Sequence, residues 1–235
     1  MGGRTTPSDP RAFRPSPALV RALLLTLAAL ASGCVADRRS LREVLDDTDL
    51  QARVAARAGS LVGRAGRPFA AGGQTFNDDC SGFVEAVYQA EGIPLRRLLQ
   101  AAAPRSTSAV AAAWVAVEAF GTRWRGGEWP APGDLVFFDD TWDQNSNGRR
   151  DDPLTHLGVV EWVEVDGTVN FVHRAGRGVT RGRLSLAHPD EATDAAGRTF
   201  NSWLRVKASR DDPSPALAGQ LFAGFGRIDP RRAPR

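Results

Sequence analysis

Cys80 stands in the run Asp78-Asp79-Cys80-Ser81-Gly82-Phe83, and the spacing of Phe83, Val84, Val87 and Tyr88 predicts a helix over 80–91 that Gly92 and Pro94 stop. A cysteine in the first turn of a helix meets unpaired N–H groups and the positive end of the helix dipole. Both favour the thiolate, which is the nucleophilic form. The small Ser81 and Gly82 leave space for a substrate carbonyl, and the local N–H groups could hold an oxyanion. Attack by a thiol also needs a base, most often histidine. The chain has three: His156, His173 and His188. His156 opens the apolar run HLGVV, His173 closes TVNFVH, and Asp166-Gly167 between them is a hairpin signal. Such a hairpin sets residues near 156 and 173 opposite or diagonal, so that one ring could orient the other. His188, in a polar loop before Pro189, takes no role. The plainer alternatives are a buried structural cysteine and a packed strand histidine.

The elements that must position these groups follow from periodicity. Residues 37–63 carry Leu41, Val44, Leu45, Leu50, Val54, Leu61 and Val62 at roughly helical spacing, which predicts one or two amphipathic helices. GRPFAAGG at 66–73 reads as a loop. Ser106 is placed to cap a helix over 107–120 with Val110, Trp114 and Val117 on one stripe. Pro130 and Pro132 mark a turn. The period then shortens, and 134–139, 157–164 and 168–173 read as strands, with a polar insertion at 140–153. The apolar stretch 217–228 fits either a closing helix or a strand. Helices first and strands later give an α+β domain with a mostly antiparallel sheet.

Three segments in order, DCSGFV (79–84), PGDLVFF (132–138) and HLGVV (156–160), followed by His173, resemble the NlpC-type cell-wall cysteine peptidases, which have a papain-like core. The resemblance covers about residues 60–180. It implies hydrolysis of peptide bonds in peptidoglycan stem peptides, next to D-glutamate and a diamino acid. Carried over position by position, it makes Cys80 the nucleophile, His156 the general base and His173 the residue that orients it, with Ser81, Gly82 and Phe69 as the substrate-binding residues. The sequence departs from the family at Phe69, where a tyrosine hydroxyl commonly helps to hold the oxyanion, and in its longer gap from His156 to His173. The alternatives are an N-acetylmuramoyl-L-alanine amidase or acyltransferase on the same core, and a non-catalytic wall-binding lipoprotein. No organic cofactor is implied, and the peptidase domain is expected to span 60–228 as a monomer, after a helical segment at 34–59 and before a tail at 229–235.

The polar insertion has a second pattern. Counting from Asp143, oxygen ligands fall at positions 1, 3, 5 and 9 (Asp143, Asn145, Asn147, Asp151), with a backbone carbonyl at Arg149 and glycine at 6 (Gly148). These are the offsets of a calcium loop, but Leu154 replaces the glutamate at position 12, so the expected affinity is on the order of 10⁻⁴–10⁻³ M. The alternative is a solvated loop.

Charge and composition restrict the rest. Four arginines (Arg4, Arg11, Arg14, Arg21) and one acid (Asp9) lie in the first 33 residues, which accounts for the whole net charge of +3. The remainder is neutral, which removes the electrostatic case for a nucleic-acid partner. Residues 18–33 form an apolar stretch of signal-peptide length ending in small residues before Cys34. Leu30-Ala31-Ser32-Gly33-Cys34 resembles a lipoprotein box, displaced by one position at Ala31. The expectation is an exported protein, periplasmic or on the cell envelope, with residues 1–33 removed and the chain anchored to a membrane through lipid on Cys34.

Overall fold

The computed structural model describes residues 41–205 and 215–233. The proposed signal and lipid-attachment residues, including Cys34, lie outside the described residues. The chain divides into two compact units, Met1–Val44 and Leu45–Arg235, and Cys80, His156 and His173 all belong to the second.

The second unit holds a six-stranded, wholly antiparallel sheet. Helices α1 (Leu41–Ser60), α2 (Cys80–Ala90), α3 (Leu95–Ala102) and α4 (Ala109–Ala119) come mostly before it in sequence, and a short α5 (Ala218–Leu221) interrupts its end. The strands are β3 (Gly121–Trp124), β4 (Leu135–Phe138), β5 (His156–Val163), β6 (Val169–Ala175), β7 (Gly178–Leu184) and β10 (Phe222–Ile228), in the order β3-β10-β4-β5-β6-β7. Two small ribbons complete the unit: β1 (Phe69–Ala71) with β2 (Gln74–Phe76), and β8 (Trp203–Arg205) with β9 (Ala216–Leu217). The α+β expectation is met.

Strand alternation sorts the core into two sides. Leu135, Phe137, Leu157, Val159 and Val172 pack with Phe83, Val87, Leu95 and Val117 of the helices. Val136, Phe138, Val160, Val169 and Phe171 pack with Leu184, Ala218, Leu221 and Phe225. The PGD turn joins these layers. Asp134 is fully buried, takes a two-pronged bond from Arg227 of β10 at 2.8 and 2.7 Å, and accepts the Ala131 N–H. The Tyr88 hydroxyl of α2 donates to the Gly133 carbonyl at 2.7 Å. Gly133 has φ +87, and a Cβ there would run into the Gln51 backbone of α1.

Among the described residues, the one or two helices expected over 37–63 are one, α1. Several other local expectations change. GRPFAAGG is the first strand and turn of the β1–β2 ribbon, with Gly72 and Gly73 at φ +54 and +74. The cap of α4 is Ser108, which accepts the Ala111 N–H, while Ser106 donates to the Ser108 carbonyl. Residues 217–228 are strand, helix and strand in turn, and β10 inserts between β3 and β4.

Candidate active site

Cys80 is the first residue of α2. Asp79 is its N-cap, and one carboxylate oxygen accepts both the Gly82 N–H and the Ser81 hydroxyl at 2.7 Å. The Gly82 Cα is packed on the Asn77 peptide, and a Cβ there would collide with the Asn77 carbonyl. The missing side chain makes room for the chain's own backbone, folding the Asn77–Asp79 turn tightly under the helix tip. Ser81 is partly exposed and borders a polar cavity of about 550 Å³, whose walls include Thr75, Asn77, Glu85, Arg96 and Ser108. Gly82 also lines this cavity. Phe69 is a core residue, 1% exposed, edge-on to Phe83 with the Arg64 guanidinium 4.8 Å above its ring. It presents no surface to a substrate, which corrects its place among the substrate-binding residues.

His156 begins β5 and His173 lies near the end of β6. The hairpin between them is long: a bulge falls between Val160 and Trp162, and Gly167 (φ +84) closes the turn. The register pairs Val159 with Val172, which sets Gly158 across from His173 and His156 on the diagonal. A Cβ on Gly158 would stand 3.2 Å from the His173 Cβ and 2.8 Å from the Val172 carbonyl. Glycine therefore lets the diagonal close, and His156 Nε2 lies 2.8 Å from His173 Nδ1 with the rings nearly perpendicular. Phe138 flanks His156 and Phe171 flanks His173. His188 is remote from this pair in role: it stacks on Phe200 at 4.2 Å and meets Glu191.

The Cys80 sulfur faces the backbone N–H groups of Leu157, Ser81 and Cys80 itself. The thiol is thus set beside the residue that follows His156. Burial and the neighbouring Asp79 carboxylate outweigh these donors and push the thiol up to about 11. The helix tip alone would favour the thiolate, so this reverses the expected direction. Burial lowers His156 to about 4, and burial plus His156 lowers His173 well below the usual histidine value. The resting groups are a neutral thiol and two neutral imidazoles.

One partnership had no signal in sequence. Arg174, next to His173, makes a two-pronged ion pair with Asp78, two residues before Cys80, at 2.7 and 2.9 Å. The pair holds the Asp78 carboxyl below the usual carboxylate range.

The insertion after β4 satisfies itself. Asp143 accepts the N–H groups of Asn147 and Gly148, Asn145 Oδ1 accepts the Asn147 N–H, and Asn147 Oδ1 accepts the Arg149 N–H. The amides of Asn145 and Asn147 donate to Asp151, whose carboxylate also meets the Arg149 side chain at 3.6 Å. An arginine on the position-9 carboxylate opposes a cation there. Among the described residues, no group of three or more His, Cys, Asp or Glu side chains could hold a metal ion. Nor, among them, is any helix long and apolar enough to cross a membrane.

A family model described as the NlpC/P60 family matches residues 66–191, just over half of the chain, and this span contains Cys80, His156 and His173. No curated protein and no solved structure matches significantly.

Proposed function

Because the chain belongs to the NlpC/P60 family of cell-wall peptidases, we propose that it cleaves an amide bond in the stem peptide of peptidoglycan through Cys80, His156 and His173. The observation that carries this reading is the 2.8 Å contact between the two imidazoles, with the Cys80 sulfur against the Leu157 N–H beside them. With its proton on Nε2, donated to His173 Nδ1, His156 keeps a lone pair on Nδ1, the form a base requires.

A thiol near 11 and an imidazole near 4 do not exchange a proton at rest. Proton transfer accompanies bond formation instead: as sulfur bonds to the carbonyl carbon, the thiol proton passes to His156. The carbonyl oxygen takes the negative charge and is met by the Cys80 and Ser81 N–H groups at the tip of α2, since the Gly82 N–H is already bonded to Asp79. The C–N bond then breaks, His156 returns its proton to the leaving amine, and water hydrolyses the thioester to free acid and thiol. Phe69 contributes no hydroxyl to this step, so backbone donors carry the oxyanion. The polar cavity beside Ser81 offers hydrogen-bonding surface to the peptide on one side of the scissile bond.

Digestion of purified peptidoglycan by the wild type and by Cys80→Ala, with products identified by mass spectrometry, tests the reading. New stem-peptide termini from the wild type alone support it. Release of intact stem peptides from muramic acid would make the enzyme an amidase. Thiol labelling of Cys80 without any cleavage would make it a binding protein. Export and lipid attachment at Cys34 belong to the same proposal, tested by metabolic labelling with a fatty acid in cells carrying the wild type or Cys34→Ser.

A further inference from the structure

Residues 173 and 174 are neighbours on β6, so their side chains leave opposite faces of the sheet. His173 turns toward His156 on one face. Arg174 turns the other way, onto the loop that delivers Cys80, and closes on Asp78 with both of its prongs. A single step along β6 thus touches both partners of the chemistry, although Asp78 and Arg174 are far apart in sequence.

We propose that Asp78 and Arg174 are a positioning pair, clamping the loop before the Cys80 helix to the strand that carries His173 and thereby fixing where the sulfur stands relative to the imidazoles. The proposal rests on the peptidase reading for its effect on rate, and on the geometry alone for the clamp. An exposed ion pair contributes little because water screens it and two long side chains must be ordered. This one is different in two respects: the side chains are only 13% and 23% exposed, and the contact is a planar two-pronged one that fixes angle as well as distance. The Asn77–Asp79 turn has no freedom to absorb a slip, since Gly82 is packed directly on Asn77. The clamp also neutralises one of the two carboxylates next to Cys80, and Arg174 lies close enough to interact with Cys80 itself.

Displacement of a reacting group by about 1 Å can cost on the order of 100-fold in rate. The test is a double-mutant cycle in the full chain: Asp78→Ala, Arg174→Ala and both together, with Arg174→Lys and Asp78→Asn as milder variants should the alanines unfold. Two quantities are read below the unfolding temperature: kcat and KM on purified soluble muropeptides, and deuterium uptake of segments 77–84 and 171–176. The clamp predicts that each single variant loses about 10- to 100-fold in kcat with little change in KM, that the double variant is no worse than either single one, and that each single variant raises uptake in both segments. Losses in kcat that multiply in the double variant, or uptake that rises only in the segment mutated, would overturn it. A purely electrostatic role is separable, because removing the Asp78 charge while leaving the Arg174 charge would then raise kcat. Should the wild type turn over no muropeptide, the peptidase reading fails, and the uptake data alone decide for or against the clamp.

Discussion

His156 Nε2 and His173 Nδ1 lie 2.8 Å apart across a diagonal that only a glycine at 158 leaves open. One of the two nitrogens carries the proton, and the contact fixes both tautomer and ring orientation of His156. Replacing His173 by alanine frees the ring to rotate and to protonate on either nitrogen. We expect His173→Ala to lower kcat by about 10²–10⁴-fold, with His173→Gln recovering part of the loss because its amide oxygen accepts the same proton. Steady-state kinetics on muropeptides check this; equal rates for the alanine and glutamine variants would remove the orienting role.

The direction of the shifts at the site sets its pH behaviour. Cys80 is raised to about 11, so only a small fraction is thiolate at neutral pH, and its alkylation by iodoacetamide should climb about tenfold per pH unit from pH 7 to 10 with no plateau. A plateau near pH 7 would reveal a preformed thiolate–imidazolium pair. The histidines act on stability. Both are lowered in the folded state, so below about pH 6.5 the unfolded chain binds protons that the native site refuses. Stability is therefore full above that pH and falls as pH drops toward 4. Thermal unfolding followed from pH 8 to 4 should show this decline, and it should be shallower in the His156→Ala/His173→Ala double variant.

What the sequence reveals about this molecule is mostly what is local. The α2 helix announces itself through its apolar spacing and its stop at Gly92, and the β5–β6 hairpin through Asp166-Gly167, because short-range rules decide both. The insertion of β10 between β3 and β4 pairs residues roughly a hundred positions apart, and no periodicity encodes that. The three-residue strands of the β1–β2 ribbon are too short for alternation to show. At the site, the residue types were legible and the environment was not. Helix-tip position argues for a thiolate at Cys80, but burial and Asp79 win, and both depend on packing. Nothing in the sequence pairs Arg174 with Asp78 or packs Gly82 on Asn77, because both contacts are made only by the fold.

Asp134 anchors the PGD turn, which the Tyr88 hydroxyl ties to the helix that carries Cys80. Its carboxylate is wholly buried, and Arg227 is the cation that compensates it. Truncation to alanine leaves the guanidinium facing a half-buried space without its counter-charge, so Asp134→Ala should cost about 3–5 kcal/mol of unfolding free energy. Tyr88→Phe removes one buried hydrogen bond to the same turn and should cost about 1 kcal/mol. Urea denaturation of the two variants checks the ranking; equal losses would mean that the ion pair is not what holds the turn.

The insertion at 140–153 stands directly before His156, so whatever orders it also orders the start of β5. The bonds at its base already do so: Asp139 accepts the Leu154 N–H at 2.7 Å, and Asp140 exchanges bonds with Asp152. Asp140 and Leu154 hold left-handed backbone at φ 51 and 53, and the buried Arg205 donates to the Asp140 carbonyl. The loop oxygens that calcium would need accept the loop's own N–H groups, and Arg149 sits on Asp151. Calcium at about 1 mM, the range of weak extracellular sites, should therefore leave both the unfolding temperature and the muropeptide rate unchanged relative to chelator. Asp139→Ala should lower the rate instead, by loosening the strand end that carries the base. A calcium-dependent rise in unfolding temperature, abolished by Asp143→Ala, would show that the ion displaces these internal bonds.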